Sequence, residues 1–332
     1  LVDAHEADPD ELYARTAKAE DAARAVAGVT NSEGADASWG RSTVALVTSG
    51  GFAAAYSGTS HSVSASVIAG EGTGMERDYD YSAVRFAKDL DDPTLVGRRA
   101  GERAVRRLNP RKVNSAAVPV IFDPRVSNGL LRHVAGAING AAVARGTSFL
   151  REKLNEKIFA DGIVIVDDPH RKMGMASRPF DGEGVANRRM NIVEDGVLTT
   201  WLLDTATGHQ LGMTSTGHAS RGASSPPSPS TTNLYMEPGA MSPSELMADI
   251  AEGFYVTELI GFGVNGVTGD YSRGAAGYWI ENGALTFPVS ELTIAGNLKT
   301  MFLNVTPAND LEFRYGTNAP TIRIEGLTVA GA

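Results

Sequence analysis

The residues best able to do chemistry in this 332-residue sequence are histidines and carboxylates, because the chain contains no cysteine. The lack of thiols excludes disulfide bonds, cysteine nucleophiles and cysteine-ligated zinc. A zinc hydrolase helix carries two histidines on one face, with a glutamate beside the first. The helix predicted from about residue 127 to residue 145 holds only His133, which Val134 follows. One imidazole alone cannot hold zinc, so we interpret His133 as an ordinary helix residue.

Two acidic segments are further candidates for metal or acid–base chemistry. The sequence Asp-Asp-Pro-His at residues 167–170 directly follows an apolar run that predicts a buried strand. Adjacent carboxylates on an extended chain point to opposite sides, which favours a turn over a shared metal ion. The sequence Phe-Asp-Gly-Glu-Gly at residues 180–184 could supply an acid–base pair or a cation site. A solvated loop is the commoner outcome for such a segment.

Other catalytic or binding patterns are weak. No Gly-x-Ser-x-Gly elbow is present, and nothing pairs His209 or His218 with a particular serine. The glycines at residues 261–266 enter strand-like sequence and lack the lysine of a phosphate loop. The net charge of −9 opposes phosphate binding, so we interpret the basic run near the middle of the chain as a solvated helix face. That run comprises Arg98, Arg99, Arg103, Arg106, Arg107, Arg111 and Lys112.

The densest polar motif occupies residues 265–274 and has the sequence Asn-Gly-Val-Thr-Gly-Asp-Tyr-Ser-Arg-Gly. Its residue types suit a tightly turning surface, rich in backbone hydrogen-bonding groups, that could accept an extended peptide or a partner loop. A purely structural hairpin network explains the same residue types equally well. Both interpretations stay open on the sequence.

The elements that position these residues follow from local signals. Asp8-Pro9 and Asp92-Pro93 each combine a helix cap with a proline at the first helical position, and they predict two helices. Between them, residues 42–49, 52–56 and 62–69 predict an antiparallel meander. The first domain is therefore expected to mix two helices with a small sheet.

The second part of the chain is predicted to be richer in strands. It opens with a strand at residues 117–122, followed by the helix that contains His133. Asp195-Gly196 and Asn282-Gly283 predict tight hairpin turns. Residues 214–232, rich in serine, threonine, glycine and proline, predict a mobile loop.

Together these elements predict an α+β fold in two domains, residues 1–112 and residues 113–332, with mixed or antiparallel sheets and packed helices. No apolar run approaches the roughly 18 residues of a membrane span. The sequence begins at Leu1 without an initiator methionine or a signal peptide. We therefore expect a missing N-terminal segment and a cytoplasmic protein without a membrane partner.

Several motifs resemble the PmbA/TldE branch of the TldD/PmbA family. The most specific match is residues 263–274, and the matches extend from about residue 31 to residue 310. The resemblance implies that the second domain is a largely antiparallel, barrel-like sheet. Further matches lie at residues 31–34, 75–79, 147–150, 180–185, 280–283, 288–291 and 293–298.

The resemblance also implies a division of labour between two branches. The TldD branch carries a His-Glu-x-x-x-His helix and a later cysteine that bind zinc, and the PmbA/TldE branch lacks these ligands. Counted back from residues 146–148, the three motif positions fall near Leu131, Arg132 and Gly136, in a register that could slip by a residue or two. None of these residues ligates zinc, so we expect no cofactor in this chain and a zinc ion in its partner.

The function implied is that of a non-catalytic subunit, inactive alone, which pairs with a TldD-type subunit to process or degrade extended peptides. An alternative is a non-proteolytic modulator of a DNA gyrase- or toxin-related partner, for which the basic run is the only sequence support. A homodimer in isolation is a third arrangement, because related subunits share a fold. We expect five polar residues to form a structural or contact network without a catalytic role: Asn265, Asp270, Ser272, Arg273 and Asn282.

Overall fold

A computed structural model describes residues 1–331, which fall into two compact units. The first unit comprises Leu1–Ala45, Ala55–Arg111 and Lys172–Met175, and the second comprises Leu46–Ala54, Lys112–Arg171 and the residues from Ala176 on. Each unit mixes helices with strands, which confirms the predicted α+β class. Among residues 1–331, no helix has both the length and the apolar character that crossing a membrane requires.

The first part of the chain contains two helices and a three-stranded sheet. As predicted, both helices begin at an Asp-Pro pair. The Asp8 carboxylate accepts a hydrogen bond from the Glu11 amide at 2.8 Å, and the Asp92 carboxylate accepts one from the Thr94 amide at 2.7 Å. The strands lie in the order β1-β2-β3. The elements are α1 (Pro9–Arg24), β1 (Val29–Val47), β2 (Ala53–Ala69), β3 (Glu76–Val84) and α2 (Pro93–Arg106).

Small residues let α1 and α2 pack in very close contact. Ala19 and Ala23 on α1 and Ala100 on α2 are fully buried. A methyl group added at Gly97 would lie 1.9 Å from the carbonyl oxygen of Ala19, a distance that real atoms do not reach. The sequence Gly-x-x-x-Gly at residues 97–101 therefore fixes how closely the two helices approach.

Two strands are much longer than the sequence predicts. Strand β1 has 19 residues and β2 has 17, where three shorter strands were expected. The expectation relied on alternating apolar residues, which the serines, glycines and alanines of these strands do not supply. Residues 63, 65, 67 and 69 on one face of β2 are nevertheless buried, because small side chains pack against the helices.

The second unit is built on a closed barrel. Strands β13, β12, β11, β4 and β16 follow one another in a sheet, and a further pairing of β13 with β16 closes the ring. All neighbours are antiparallel except β4 and β11, as the resemblance implied. The elements, named in chain order, are β4 (Ala116–Phe122), α3 (Pro124–Ala137), α4 (Gly140–Ala144), β5 (Ile165–Asp167), β6 (Met190–Glu194), β7 (Val197–Leu198), α5 (Thr205–Gln210), β8 (Ala219–Ser220), β9 (Ser228–Pro229), β10 (Leu234–Met236), α6 (Pro243–Met247), β11 (Glu252–Ile260), β12 (Asp270–Glu281), β13 (Ala284–Asn297), α7 (Leu298–Leu303), β14 (Val305–Pro307), β15 (Thr317–Asn318) and β16 (Ile322–Ala330).

A second sheet, in the order β15-β10-β5-β6-β7, lies beside α3 in the same hydrophobic core. The helix predicted near residues 127–145 is in fact two helices, α3 and α4. The break occurs because residues 138–140 pair with residue Leu202: the Gly140 amide donates to the Leu202 carbonyl at 2.8 Å. Asn139 then caps α4 by accepting from the Ala141 amide at 2.9 Å. The break separates α3, which bears His133, from α4.

Candidate functional site

A cleft of about 380 Å³ lies between α3 and the loop that joins β11 to β12. The helix supplies one wall, and the loop and the first residues of β12 supply another. The segment that follows α4 completes the lining. The lining residues are Arg132, His133, Gly136, Ala137, Thr147, Phe149, Phe262, Val264, Gly266 and Arg273.

The α3 wall shows where the expected positions of the degenerate zinc motif lie. Leu131 is fully buried in the hydrophobic core and does not line the cleft, whereas Arg132 and Gly136 do. A His-Glu-x-x-x-His motif needs positions separated by one and by five residues. Arg132, His133 and Ala137 have this spacing, and all three line the cleft. Ala137, like Leu131, is buried in the hydrophobic core, so each of the two registers places one of its three positions in the core.

His133 is held neutral in this cleft. Burial is the largest cause that lowers the pKa of its imidazole to about 4, and the charges of Arg273 and Arg132 lower it further. The ring packs edge-on against Tyr271, with 6.0 Å between ring centroids. The Tyr271 hydroxyl is buried without a hydrogen-bond partner among the described residues, and burial raises its pKa.

The polar motif of residues 265–274 folds into a self-bonded loop. The Asn265 side-chain oxygen accepts from the amides of Val267 at 2.9 Å and Thr268 at 3.3 Å. The Asp270 carboxylate accepts from the Thr268 hydroxyl at 2.6 Å and from the Asn297 amide group at 2.9 Å. These two hydrogen bonds lower the pKa of Asp270, so the carboxylate stays ionised and holds the loop.

The remaining predicted contact residues separate into two places. Arg273 lines the cleft and donates from Nε to the Ile260 carbonyl at 3.2 Å. The neighbouring Ser272 is exposed and binds the Gly263 carbonyl through its amide at 2.6 Å. Asn282 lies in the turn at the opposite end of β12, with a φ of 49°, and has no hydrogen bond to the other four. The structure thus brings Asn265, Asp270, Ser272 and Arg273 together and leaves Asn282 apart.

Exposed apolar side chains lie on the β11–β12 loop and at the end of β11, beside residues that line the cleft. Phe262 is 99% exposed at the tip of the β11–β12 loop, and Ile260 and Val267 are 59% and 54% exposed. Phe149 is buried in the lining, and its amide donates to the Gly266 carbonyl at 2.9 Å. We call Ile260, Phe262 and Val267 the apolar rim. Sequence patterns do not reveal this rim, because the exposure of a lone phenylalanine depends on tertiary structure.

The donor atoms of the cleft do not fit a zinc ion. His133 is the one lining residue whose type ligates zinc, and two guanidinium groups lie near it. Hydrolytic zinc sites use three protein ligands and keep one position open. Within residues 1–331, no group of three His, Cys, Asp or Glu side chains is placed to hold a metal ion.

The two acidic segments serve structural roles. Asp181 is 1% exposed, and its carboxylate accepts from the amides of Glu183, Val185 and Ala219. Glu183 accepts from the amide and the hydroxyl of Thr205 at 2.8 and 2.7 Å at the start of α5. Both carboxylates are therefore occupied by hydrogen bonds within the protein, which argues against an acid–base pair.

A buried network that the sequence did not reveal surrounds Asp167. Its carboxylate accepts from the Thr232 amide at 2.7 Å and hydroxyl at 2.5 Å, and lies 3.3 Å from Nε2 of His218. The pairing of β8 with β9 adds a second constraint on residues 214–232. The segment expected to be a mobile loop is thus anchored to β5. Asp168 forms the predicted turn by accepting from the His170 amide at 2.9 Å.

Most cations of the basic run are neutralised by carboxylates of the same unit. Arg103 lies 2.7 Å from the Asp80 carboxylate, which is buried on β3. A paired guanidinium releases few counterions from a phosphate backbone, so the run lacks the free charge of a nucleic-acid site. The other pairs are Arg98–Glu102 at 3.7 Å, Arg99–Asp91 at 2.8 Å, Arg107–Glu76 at 3.2 Å and Lys112–Glu291 at 3.2 Å.

Comparison with known families accounts for nearly the whole chain. Residues 3–108 match the model described as the PmbA/TldA metallopeptidase central domain. Residues 115–331 match the PmbA/TldA metallopeptidase C-terminal domain.

Two curated relatives are similar over their shared length. The chain is 41% identical to Metalloprotease PmbA of Escherichia coli O157:H7 over 328 residues, which cover 98% of this chain and 71% of that protein. It is 37% identical to the Metalloprotease PmbA homolog of Haemophilus influenzae, covering 100% of this chain and 72% of the relative.

Solved structures show the same fold. A crystal structure of a proposed modulator of DNA gyrase from Bacteroides thetaiotaomicron superposes with a TM-score of 0.90 at 32% identity, covering 100% of this chain and 74% of that one. TldE from Thermococcus kodakarensis has a TM-score of 0.88 at 23% identity, covering 98% of this chain and 75% of that one. The second likeness is a likeness of fold alone.

Proposed function

This chain belongs to the PmbA/TldD family of metallopeptidases, and we propose that it is the non-catalytic partner subunit of a TldD-type zinc metalloprotease that processes extended or unfolded peptides. On this proposal the zinc ion lies in the partner subunit. This chain contributes surface and shape to the complex and has no peptidase activity of its own.

The observation that carries the proposal is the composition of the cleft on α3. The three cleft positions with the spacing of a His-Glu-x-x-x-His motif hold Arg132, His133 and Ala137. Arg132 repels a divalent cation, and Ala137 has no donor atom. A zinc-dependent peptidase needs the ion to activate water and to polarise the scissile carbonyl. A subunit with this cleft depends on a partner for that chemistry.

The apolar rim supports a contact with another protein chain. Aromatic side chains are enriched at protein interfaces, and Phe262 is 99% exposed. The hydrogen bonds of Asn265 and Asp270 hold the loop that presents it, so little ordering entropy is lost on contact. We assign the rim to contact with the TldD-type subunit.

Reconstitution with a TldD-type subunit tests this proposal. An extended peptide is incubated with this chain, with the partner and with their mixture, and cleavage is followed by mass spectrometry. We expect cleavage by the mixture and none by this chain. Light scattering of the same samples should give the mass of a heterodimer, and a homodimer of this chain that persists in the mixture would contradict the pairing.

A variant in the rim links the contact to the structure. Phe262→Ser removes the most exposed apolar side chain and should weaken complex formation. Met173→Ser is a matched control, because Met173 is also an exposed apolar residue, at 40%, and lies outside the second unit. Equal effects of the two substitutions would remove the rim from the proposal.

The alternative function, a non-proteolytic modulator of a gyrase- or toxin-related partner, was supported in the sequence by the basic run alone. The basic run is the feature that would favour contact with DNA or a DNA-bound partner, and Arg103 and Arg107 on it are paired with carboxylates. The description of the Bacteroides thetaiotaomicron protein as a proposed gyrase modulator concerns that protein. We therefore do not carry a gyrase-related function forward for this chain.

A further inference from the structure

We infer that the α3 cleft binds an extended peptide, and that Arg132 and Arg273 donate hydrogen bonds to a carboxylate group of that peptide. The inference rests on the proposed function for the identity of the ligand as a peptide. It goes beyond that function because it gives the degenerate cleft a ligand and a specificity of its own. Three features of the cleft support this binding: two arginines without a carboxylate partner, empty space and an apolar wall.

The two arginines of the cleft are unmatched, unlike those of the basic run. Among residues 1–331, neither Arg132 nor Arg273 has a carboxylate within ion-pair distance, and the cleft lining contains no aspartate or glutamate. Arg273 uses one nitrogen, Nε, on the Ile260 carbonyl, which leaves its terminal nitrogens for a ligand. In a chain of net charge −9, this cleft is a local positive site.

The two arginines also lie in the same cleft as His133. The charges of both Arg273 and Arg132 lower the pKa of His133. Guanidinium groups bind carboxylates through two parallel hydrogen bonds, a geometry that a lysine cannot reproduce. His133 itself stays neutral at pH 7 and offers one donor and one acceptor.

Two glycines keep space in the cleft that the protein does not need for its own packing. A methyl group added at Gly136 would meet nothing within 4 Å, and one at Gly266 would meet only the Thr147 carbonyl at 3.9 Å. Neither glycine has a positive φ, so neither backbone conformation requires glycine. Larger side chains at these positions would fill the 380 Å³ cleft, a volume within the range of about 300–1,000 Å³ for ligand sites.

The apolar part of the lining favours a peptide over inorganic phosphate or nucleic acid. Phe149, Phe262 and Val264 line the cleft beside the arginines. Such a wall suits an aliphatic or aromatic side chain adjacent to the bound carboxylate. Two sources supply that carboxylate, the C-terminus of a peptide and an acidic side chain, and they share the same chemistry.

Calorimetric titration of the 332-residue chain alone tests the inference. The probe is an unlabelled peptide of alanine and leucine in four forms: with a free C-terminal carboxylate, with a C-terminal amide, and as the amide with one internal glutamate or one internal glutamine. We expect the two forms that carry a carboxylate to bind roughly 10-fold or more tightly than the neutral forms. The comparison of free C-terminus with internal glutamate identifies the source.

Substitutions in the cleft then test the residues. Arg132→Gln and Arg273→Gln should each weaken binding of the charged peptide by roughly 10- to 100-fold, because each removes a charge-assisted hydrogen bond. Arg98→Gln is the matched control, since Arg98 is an exposed arginine on α2 outside the cleft. Gly136→Leu should abolish binding without lowering the unfolding temperature, because the side chain enters open space.

The inference is overturned if the four peptides bind equally, if none binds, or if both cleft variants bind like Arg98→Gln. These results are distinct from failure of the proposed function. The titration contains no partner subunit, so a chain that binds carboxylate peptides but never activates a TldD-type subunit refutes only the partner role. A complex that cleaves peptides while the cleft variants bind normally refutes only the cleft site.

Discussion

Two alternative triple variants test the register of the degenerate motif. The later register installs Arg132→His, His133→Glu and Ala137→His, all at positions that line the cleft. The earlier register installs Leu131→His, Arg132→Glu and Gly136→His. We expect zinc to stabilise the later-register variant, because both of its histidines replace residues that line the cleft and Arg132 no longer repels the ion.

The stability that the earlier-register variant should lose follows from the burial of Leu131, which is 0% exposed in the core. Truncating a buried leucine costs about 2–5 kcal/mol, and an unpartnered polar group in the same place adds about 1–3 kcal/mol. We therefore expect the earlier-register variant to lose about 3–8 kcal/mol of the free energy of unfolding. Domains have only about 5–15 kcal/mol in total, so this variant should be largely destabilised.

Urea unfolding with and without added zinc is the assay. Without zinc, the later-register variant should lose about 1–3 kcal/mol, because Ala137→His enlarges a side chain that belongs to the hydrophobic core as well as lining the cleft. Its unfolding midpoint should then rise with zinc concentration. The reasoning about the register fails if the earlier-register variant keeps parental stability and is the one that zinc stabilises.

Three further predictions follow from the packing and charges. Gly97→Ala should lower the free energy of unfolding in urea by about 1–3 kcal/mol or more, because the added methyl group meets the Ala19 carbonyl. Gly129→Ala is the control: its methyl group enters open space and should raise the free energy of unfolding by about 0.5–1 kcal/mol. Asp80→Asn should destabilise the protein by about 2–4 kcal/mol, because it leaves the partly exposed Arg103 without its buried partner. Adding Arg103→Gln to this variant should restore part of the lost stability, which would confirm that the two residues are coupled. The pKa of His133 is about 4 in the folded protein and has an ordinary value of 6.5, so the unfolded state binds a proton first as the pH falls. Stability should therefore fall between about pH 6.5 and pH 4, by at most about 3 kcal/mol, and His133→Gln should remove that part of the pH dependence in urea titrations.

Local signals predicted the parts of the fold that depend on neighbouring residues. The Asp-Pro pairs at residues 8–9 and 92–93 cap α1 and α2. Asp195 and Asn282 adopt the positive φ that their hairpin turns require. These features need only the chemistry of a few adjacent residues, which one sequence contains.

Features that depend on tertiary contacts were not predictable in this way. The Asn139-Gly140 pair is a turn signal inside an otherwise helical pattern, and the pairing of residues 138–140 with Leu202 decides that the helix breaks there. The burial of Leu131 and the exposure of Arg132 depend on how α3 faces the barrel, which counting residues along the chain does not reveal. The proximity of Arg273 to α3 likewise joins residues far apart in the chain.

The roles of charged residues also depend on tertiary contacts that the sequence does not show. A run of arginines in sequence is compatible with a DNA-binding face until Asp80 and Glu76 are found beside Arg103 and Arg107. An acidic segment is compatible with catalysis until Asp181 is found to bind backbone amides. Function could be approached from the sequence because the family motifs are specific, whereas the roles of individual residues needed their partners.

The zinc content of the two separated subunits, measured together with their activity, tests the central claim most directly. Each subunit is loaded with zinc alone, dialysed, analysed by atomic emission and then assayed for peptide cleavage before and after mixing. We predict that the TldD-type subunit retains the metal, that this chain retains none, and that cleavage by the mixture is lost on chelation. Zinc held stoichiometrically by this chain, with chelator-sensitive cleavage in the absence of any partner, would contradict the account.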